Sequence, residues 1–207
     1  GTVGAVNVCT AATQRLGFYG TAAIVQQTGV AVTAGGIHAA CVALGLFTAI
    51  TRLKAVHEKI APRLEERGLH LYAQHVDAMD NGTLVDIFRD DVNACLLGTD
   101  AVRDGVDVPG DSLRLIVFDR VPWPRPTILH RARREAFGKK QYDERLSRLK
   151  LKQAFGRLIR RAGDKGVFVM LDSMLPSRLY GAFPEGVEVQ KTGLAEAASE
   201  IKKFLAS

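Results

Sequence analysis

From residue 42 onward, short and nearly unbroken apolar runs alternate with longer stretches in which apolar residues return every three or four positions. The runs at 42–47, 69–73, 94–97, 113–118, 167–171 and 187–190 predict strands. The stretches between them predict helices: one from residue 51 to about 67, capped by Thr48 or Thr51, and a short one over Leu84, Val85, Ile87 and Phe88, capped by Asn81. Two more are expected over 127–137 and 141–162, a brief one over 177–183 and a closing one over 194–205. Apolar strands alternating with amphipathic helices predict an α/β fold with a mainly parallel sheet covered on both faces. In such sheets ligands gather outside the carboxyl ends of the strands. Thr48, Gln74, Gly98-Thr99-Asp100 and the stiff loop at 121–126 are all expected on that rim. Residues 1–40 are rich in Ala, Gly, Thr and Val, with weak periodicity, and predict no element. With no initiation or targeting signal at its start, the chain reads as a piece of something longer.

The helical pattern that begins at 141 closes on Gln153-Ala154-Phe155-Gly156-Arg157-Leu158-Ile159-Arg160-Arg161. At about 100° per residue, Gln153, Arg157 and Arg160 fall within roughly 60° of one another. Leu146, Leu149, Phe155, Leu158, Ile159 and Ala162 supply the apolar side. Gly156 costs roughly 1 kcal/mol against Ala in a helix interior, so it points to close approach of another backbone or a ligand. The other reading is a solvated basic face with a packing glycine.

Charge sharpens this picture. The 207 residues carry a net +6, yet residues 121–165 hold 14 Lys/Arg against 4 Asp/Glu, so the rest of the chain is net acidic. A basic block of this kind suits nucleic acid or a nucleotide phosphate, or is a solvated helix pair. With 47% hydrophobic and 24% charged residues the composition is that of a soluble globular domain. No apolar run approaches the roughly 18 residues of a membrane span. Cys9, Cys41 and Cys95 match no metal or disulfide spacing and read as inert small apolar residues in a reducing cytoplasm.

A second stretch, Gly98-Thr99-Asp100-Ala101-Val102-Arg103-Asp104-Gly105-Val106-Asp107-Val108-Pro109-Gly110, opens on a strand-end glycine and closes on Pro-Gly. Its middle is expected to be a structured loop or a single helical turn. N–H groups near Gly98 and Thr99 suit a phosphate oxygen, and Asp107 is an acceptor for ribose hydroxyls or a brace for an arginine. A turn-rich connection with solvated aspartates fits the same residues.

Together, Gly-Thr-Asp-x-x-x-x-Gly-Val-Asp-Val-Pro-Gly and the later Gln-x-x-Gly-Arg-x-Ile-Arg-Arg resemble motifs V (98–110) and VI (153–161) of superfamily 2 helicases, in the DinG/XPD-like branch. Leu44-Gly45-Leu46-Phe47-Thr48 is similar to that branch's motif IV strand, and residues 118–126 to its proline-bearing loop. The resemblance spans roughly residues 42–190. It implies that 41–207 is the second RecA-like motor domain of a P-loop-NTPase fold, with 1–40 a remnant of the interdomain region. In such helicases ATP sits between two motor domains. Arg157 and Arg160 would be arginine fingers for the γ-phosphate. Gln153 would link the bound nucleotide to the DNA-contacting edge, Gly156 would lie against the nucleotide, and Gly105 and Asp107 would line its ribose side. Thr48 and Thr99 would touch single-stranded DNA.

The chain departs from the family in places. Asp104 stands where Glu is frequent, Ala101-Val102-Arg103 where aromatic residues are, and Asp172-Ser173-Met174 where Asp-x-Arg is common. The sequence has no Gly-x-x-x-x-Gly-Lys-Ser/Thr loop and no Asp-Glu-Ala-His or Asp-Glu-Ala-Asp box. ATP and magnesium are therefore expected to be held mainly by a first motor domain of the same polypeptide. Any iron–sulfur cluster would lie there too, with no metal site in this chain. The implied function is the C-terminal motor domain of a cytoplasmic ATP-dependent DNA helicase, inactive alone. The alternatives are a non-enzymatic basic nucleic-acid-binding module or a helicase-derived scaffold.

Overall fold

The computed structural model describes residues 6–10, 43–105, 108, 113–159 and 164–206. Its elements are β1 (Val6–Thr10), β2 (Ala43–Leu46), α1 (Ile50–Glu65), β3 (His70–Ala73), α2 (Asn81–Asp90), β4 (Ala94–Gly98) and the single-turn α3 (Asp100–Gly105). After these come β5 (Leu115–Phe118), α4 (Ile128–Ala136), α5 (Lys140–Leu158), β6 (Val167–Met170), a 3-10 turn (Ser177–Ala182), β7 (Glu188–Thr192) and α6 (Leu194–Ala206).

The strands form one sheet in the order β3-β4-β2-β5-β6-β1-β7. The five from β3 to β6 are parallel. β1 runs antiparallel to both β6 and β7, so part of the unassigned 1–40 stretch supplies a strand that weak periodicity did not announce.

Register explains how both faces bury apolar residues. Tyr72, Leu96, Leu44, Ile116 and Phe168 form one cross-strand row. With Phe118 and Met170 this face packs on Leu84, Val85 and Phe88 of α2, Val102 of α3, and Leu151, Ala154, Phe155 and Leu158 of α5. The alternate residues Ala43, Cys95, Leu97, Leu115, Val117, Val167 and Val169 pack on α1 and α6 from the other side. A period of two with both sets apolar is what makes these strands read as continuous hydrophobic runs.

Several expected boundaries move. Neither Thr48 nor Thr51 caps α1; its N-cap is Ala49, which offers no side-chain bond. α2 is capped by Asp80, whose carboxylate accepts from the N–H groups of Gly82 and Thr83, and Asn81 is already its first residue. α5 ends at Leu158 instead of 162 because Ile159 turns extended (φ −121°, ψ 111°) and buries its side chain in the core. The buried stripe of α5 is Glu144, Ser147, Leu151, Ala154, Phe155 and Leu158. Leu149, expected on that side, is half exposed. α4 buries no residue at all.

Candidate functional site

The carboxyl ends of the parallel strands are laced together. Beyond β2, Phe47 N–H donates to the Gly98 carbonyl (2.8 Å), and beyond β3, Gln74 N–H donates to that of Leu97 (2.8 Å). Asp119 N–H reaches the Leu46 carbonyl (2.9 Å) and Leu171 N–H that of Phe118 (2.8 Å). The rim expected from the sequence is thus continuous from Gln74 through Thr99, Thr48 and Asp119 to Leu171.

Gln74 is the keystone at one end. It is buried, and its Oε1 accepts from both the N–H and the hydroxyl of Thr99 (2.8 Å each), while its Nε2 donates to Asn81 Oδ1 (2.9 Å). Both donors of Thr99 therefore face Gln74, leaving its hydroxyl oxygen only as an acceptor. The sequence marked Gln74 merely as a strand end. A polar residue closing an apolar run was the available signal.

Thr48 opens a groove of about 670 Å³ that continues past Arg52, Asp119, Arg120, Val121, Trp123 and the prolines around Arg125 to Leu171–Met174. Its walls are fixed by charge-assisted bonds. Arg52 grips buried Asp119 with Nε and Nη2, and Asp172 accepts from the N–H groups of Val121 (2.9 Å) and Met174 (3.0 Å). Asp172, left without a role by the sequence, thus anchors the proline loop to the end of β6. Arg120 and Arg125 are exposed, and Trp123, the chain's single tryptophan, is 40% exposed.

Motifs V and VI meet at the other side of α3. Arg157 Nη2 donates to the Asp104 carbonyl (3.0 Å), and Lys150 Nζ to Asp100 (2.6 Å). Gln153 is exposed on α5, and so is Gly156, where an added Cβ would meet nothing within 4 Å. The close neighbour expected at Gly156 is therefore not part of the described chain. Gly105, at the end of α3, is exposed with the same empty surroundings. Asp107 and Arg160 lie outside the described residues, and since α5 stops at Leu158, the helical reckoning that put Arg160 beside Gln153 and Arg157 does not extend to it. Among the described residues no group of three His, Cys, Asp or Glu side chains could hold a metal ion, and no helix is long and apolar enough to cross a membrane.

Chemically, this arrangement offers a cation aimed from a helix end (Arg157), an open helix face beside it (Gln153, Gly156) and a separate rim groove combining an aromatic ring with guanidiniums. Comparison with known proteins bears directly on it. The family model described as "Helicase C-terminal domain" matches residues 39–191. The chain is 36% identical over 145 residues to the 3'-5' exonuclease DinG of Bacillus subtilis, covering 67% of this chain and 16% of that protein. It is 37% identical over 147 residues to the ATP-dependent helicase DinG of Mycobacterium tuberculosis, covering 68% of this chain and 21% of that one. The chain thus spans about a fifth or less of these relatives. A solved structure titled XPD_APO shares the fold, with a TM-score of 0.51 at 20% identity over 67% of this chain and 29% of its own.

Proposed function

Because the chain belongs to the helicase C-terminal domain family, in its DinG/XPD-like branch with a RecA-like α/β fold, we propose that it is the second motor domain of an ATP-dependent DNA helicase that translocates on single-stranded DNA. The observation that carries this reading is the contact between Arg157 of motif VI and the Asp104 carbonyl of motif V. It aims a guanidinium out of α5 beside the open face at Gly156.

In this reading, Arg157, with Arg160, faces the γ-phosphate of ATP held mainly by a first motor domain of the same polypeptide. A fixed positive charge is worth most where negative charge develops on the transferring phosphoryl group, and removing such a finger costs roughly 10³–10⁵ in rate. One Nη2 hydrogen bond to Asp104 leaves four guanidinium N–H donors for phosphate oxygens. Gln153 and Gly156 supply the open surface on which the nucleotide rests, with Gly105 and Asp107 toward its ribose. Magnesium would be held mainly by the first domain.

The rim groove takes the single strand. Bases stack on Trp123, phosphates lie along Arg120 and Arg125, and Thr48 supplies a polar contact to the backbone; Thr99, with both donors held by Gln74, has none to offer a phosphate. The stiffness of a Pro-rich loop tied down by Asp172 limits the entropy lost on binding.

Two measurements test this. The full-length polypeptide should hydrolyse ATP with strong stimulation by single-stranded DNA, while this 207-residue chain alone should not turn over ATP. Robust magnesium-dependent hydrolysis by the chain alone would contradict the half-site reading. Since Trp123 is the only tryptophan, titration of this chain with oligo-dT should quench its fluorescence, and Trp123→Ala should weaken binding by about 1–3 kcal/mol. An unquenched signal alongside tight binding would move the strand off the groove. Tight binding that neither needs nor feels ATP in the full-length polypeptide would favour the non-enzymatic basic module instead.

A further inference from the structure

Arg103 is the most deeply buried arginine among the described residues, at 4% exposure, and it sits on a helix of only six residues. All three nitrogens of its guanidinium are engaged, through three of the five N–H groups. Nε and Nη2 both donate to Asp104 Oδ1 (3.0 and 2.8 Å), and Nη1 donates to Asp100 Oδ1 (2.8 Å). A charge this buried persists only when paired and hydrogen-bonded. A single helical turn does not hold itself together by its own backbone bonds. The clamp therefore supplies what α3 lacks, fixing its first and its penultimate residue through one side chain.

The same two residues are where α5 touches α3. Lys150 binds the other Asp100 oxygen and Arg157 binds the Asp104 carbonyl, so the two helices are pinned at both ends of the short turn. Upstream, Asp100 follows Thr99, whose N–H and hydroxyl are held by Gln74. A connected run of polar contacts thus leads from the strand-end rim, through the Arg103 clamp, to Arg157.

We propose that Arg103 is a positioning residue for Arg157. By locking the last turn of α3 it presents the Asp104 carbonyl at the place and angle that aim the Arg157 guanidinium. The inference rests on the motor reading above, and its consequence is mainly kinetic: an unclamped α3 misaims Arg157, while the groove lined by Arg120, Trp123 and Arg125 keeps its shape.

The test is a double-mutant cycle in the full-length polypeptide, reading kcat and KM for ATP at saturating oligo-dT, oligo-dT affinity, and the melting temperature. Arg103→Gln should lower kcat by about 10-fold to 100-fold, the penalty of a misplaced catalytic group. KM and DNA affinity should stay within about threefold, since positioning for the transition state leaves uniform binding untouched. In an Arg157→Ala background, Arg103→Gln should change kcat by less than about twofold, because the residues act as one unit. Arg103→Lys, which offers one point charge in place of a fork, should fall between wild type and Arg103→Gln. If Arg103→Gln does not fold, Asp100→Ala carries the same test from an exposed position, releasing both Nη1 of Arg103 and Lys150.

Full additivity of the two losses, or wild-type kcat in folded Arg103→Gln, would overturn the positioning role while leaving the motor reading intact. Wild-type turnover in Arg157→Ala itself would sink the motor reading, and this inference with it.

Discussion

Two glycines show how differently the same residue is used in the two motifs. At Gly98 an added Cβ would sit 2.4 Å from Val102 Cβ. The glycine lets α3 fold straight back from the end of β4 and bury Val102. Gly98→Ala should therefore destabilise the chain by about 1–3 kcal/mol, as overpacking does, which urea unfolding would measure. Gly156 is the reverse case. Nothing lies within 4 Å of its would-be Cβ, so Gly156→Ala should stabilise the chain by about 1 kcal/mol through helix propensity. The same substitution should lower ATP turnover of the full-length polypeptide, because in the motor reading the open side meets nucleotide. A stabilised variant with unchanged turnover would return Gly156 to an ordinary solvated position. The sequence flagged both glycines, but the close packing of Val102 against Gly98 could not be read from it.

Strands and helices were legible where periodicity is strong, and less so where a neighbour decides the outcome. The parallel strands matched their expected runs to within a residue or two, because nearly every position is apolar and at least partly buried, exposed His70 on edge strand β3 being the exception. β1 was not legible. A short strand enclosed by β6 and β7 draws its pairing from partners far away in sequence. The ends of α5 and the caps of α1 and α2 were misplaced for local reasons. Ile159 gains more by burial in the core than by one further helical turn, and Asp80 reaches two N–H groups where Asn81 would have to forgo helical geometry.

The join between α2 and β3 carries a pH dependence. Burial opposes ionisation of Asp91, but the bond from His70, the Asn93 N–H, the His70 charge and the Tyr72 hydroxyl together hold its carboxyl below the usual range. A lowered folded-state value stabilises above the unfolded pKa of about 3.9, and that contribution is lost as pH falls through the folded value. Urea midpoints measured from pH 6 downward should fall less steeply below about pH 4 in Asp91→Asn than in the parent chain. Parallel curves would remove Asp91 from the acid limb.

At the scale of the whole molecule, the excess positive charge in residues 121–165 was legible as a block, but its division of labour was not. His130 and Arg134 share Asp143 across the α4–α5 hairpin, and Arg178 pairs with Glu144. Arg125, and Arg120 just ahead of the block, remain exposed beside Trp123 at the groove. Binding of oligo-dT should accordingly show a log–log salt slope of roughly −1 to −3, the release expected for a few neutralised phosphates. A flat salt response would argue against a strand lying along those guanidiniums.

What ties these scales together is the claim that α5 delivers Arg157 to a nucleotide completed by another domain of the same polypeptide. Steady-state ATP hydrolysis by full-length Arg157→Ala, at saturating single-stranded DNA and alongside a direct measurement of ATP affinity, reads it most directly. A fall in kcat of roughly 10³-fold or more is expected, with ATP affinity changed only a few fold. Turnover within a few fold of wild type, by an Arg157→Ala protein that still binds ATP, would contradict it.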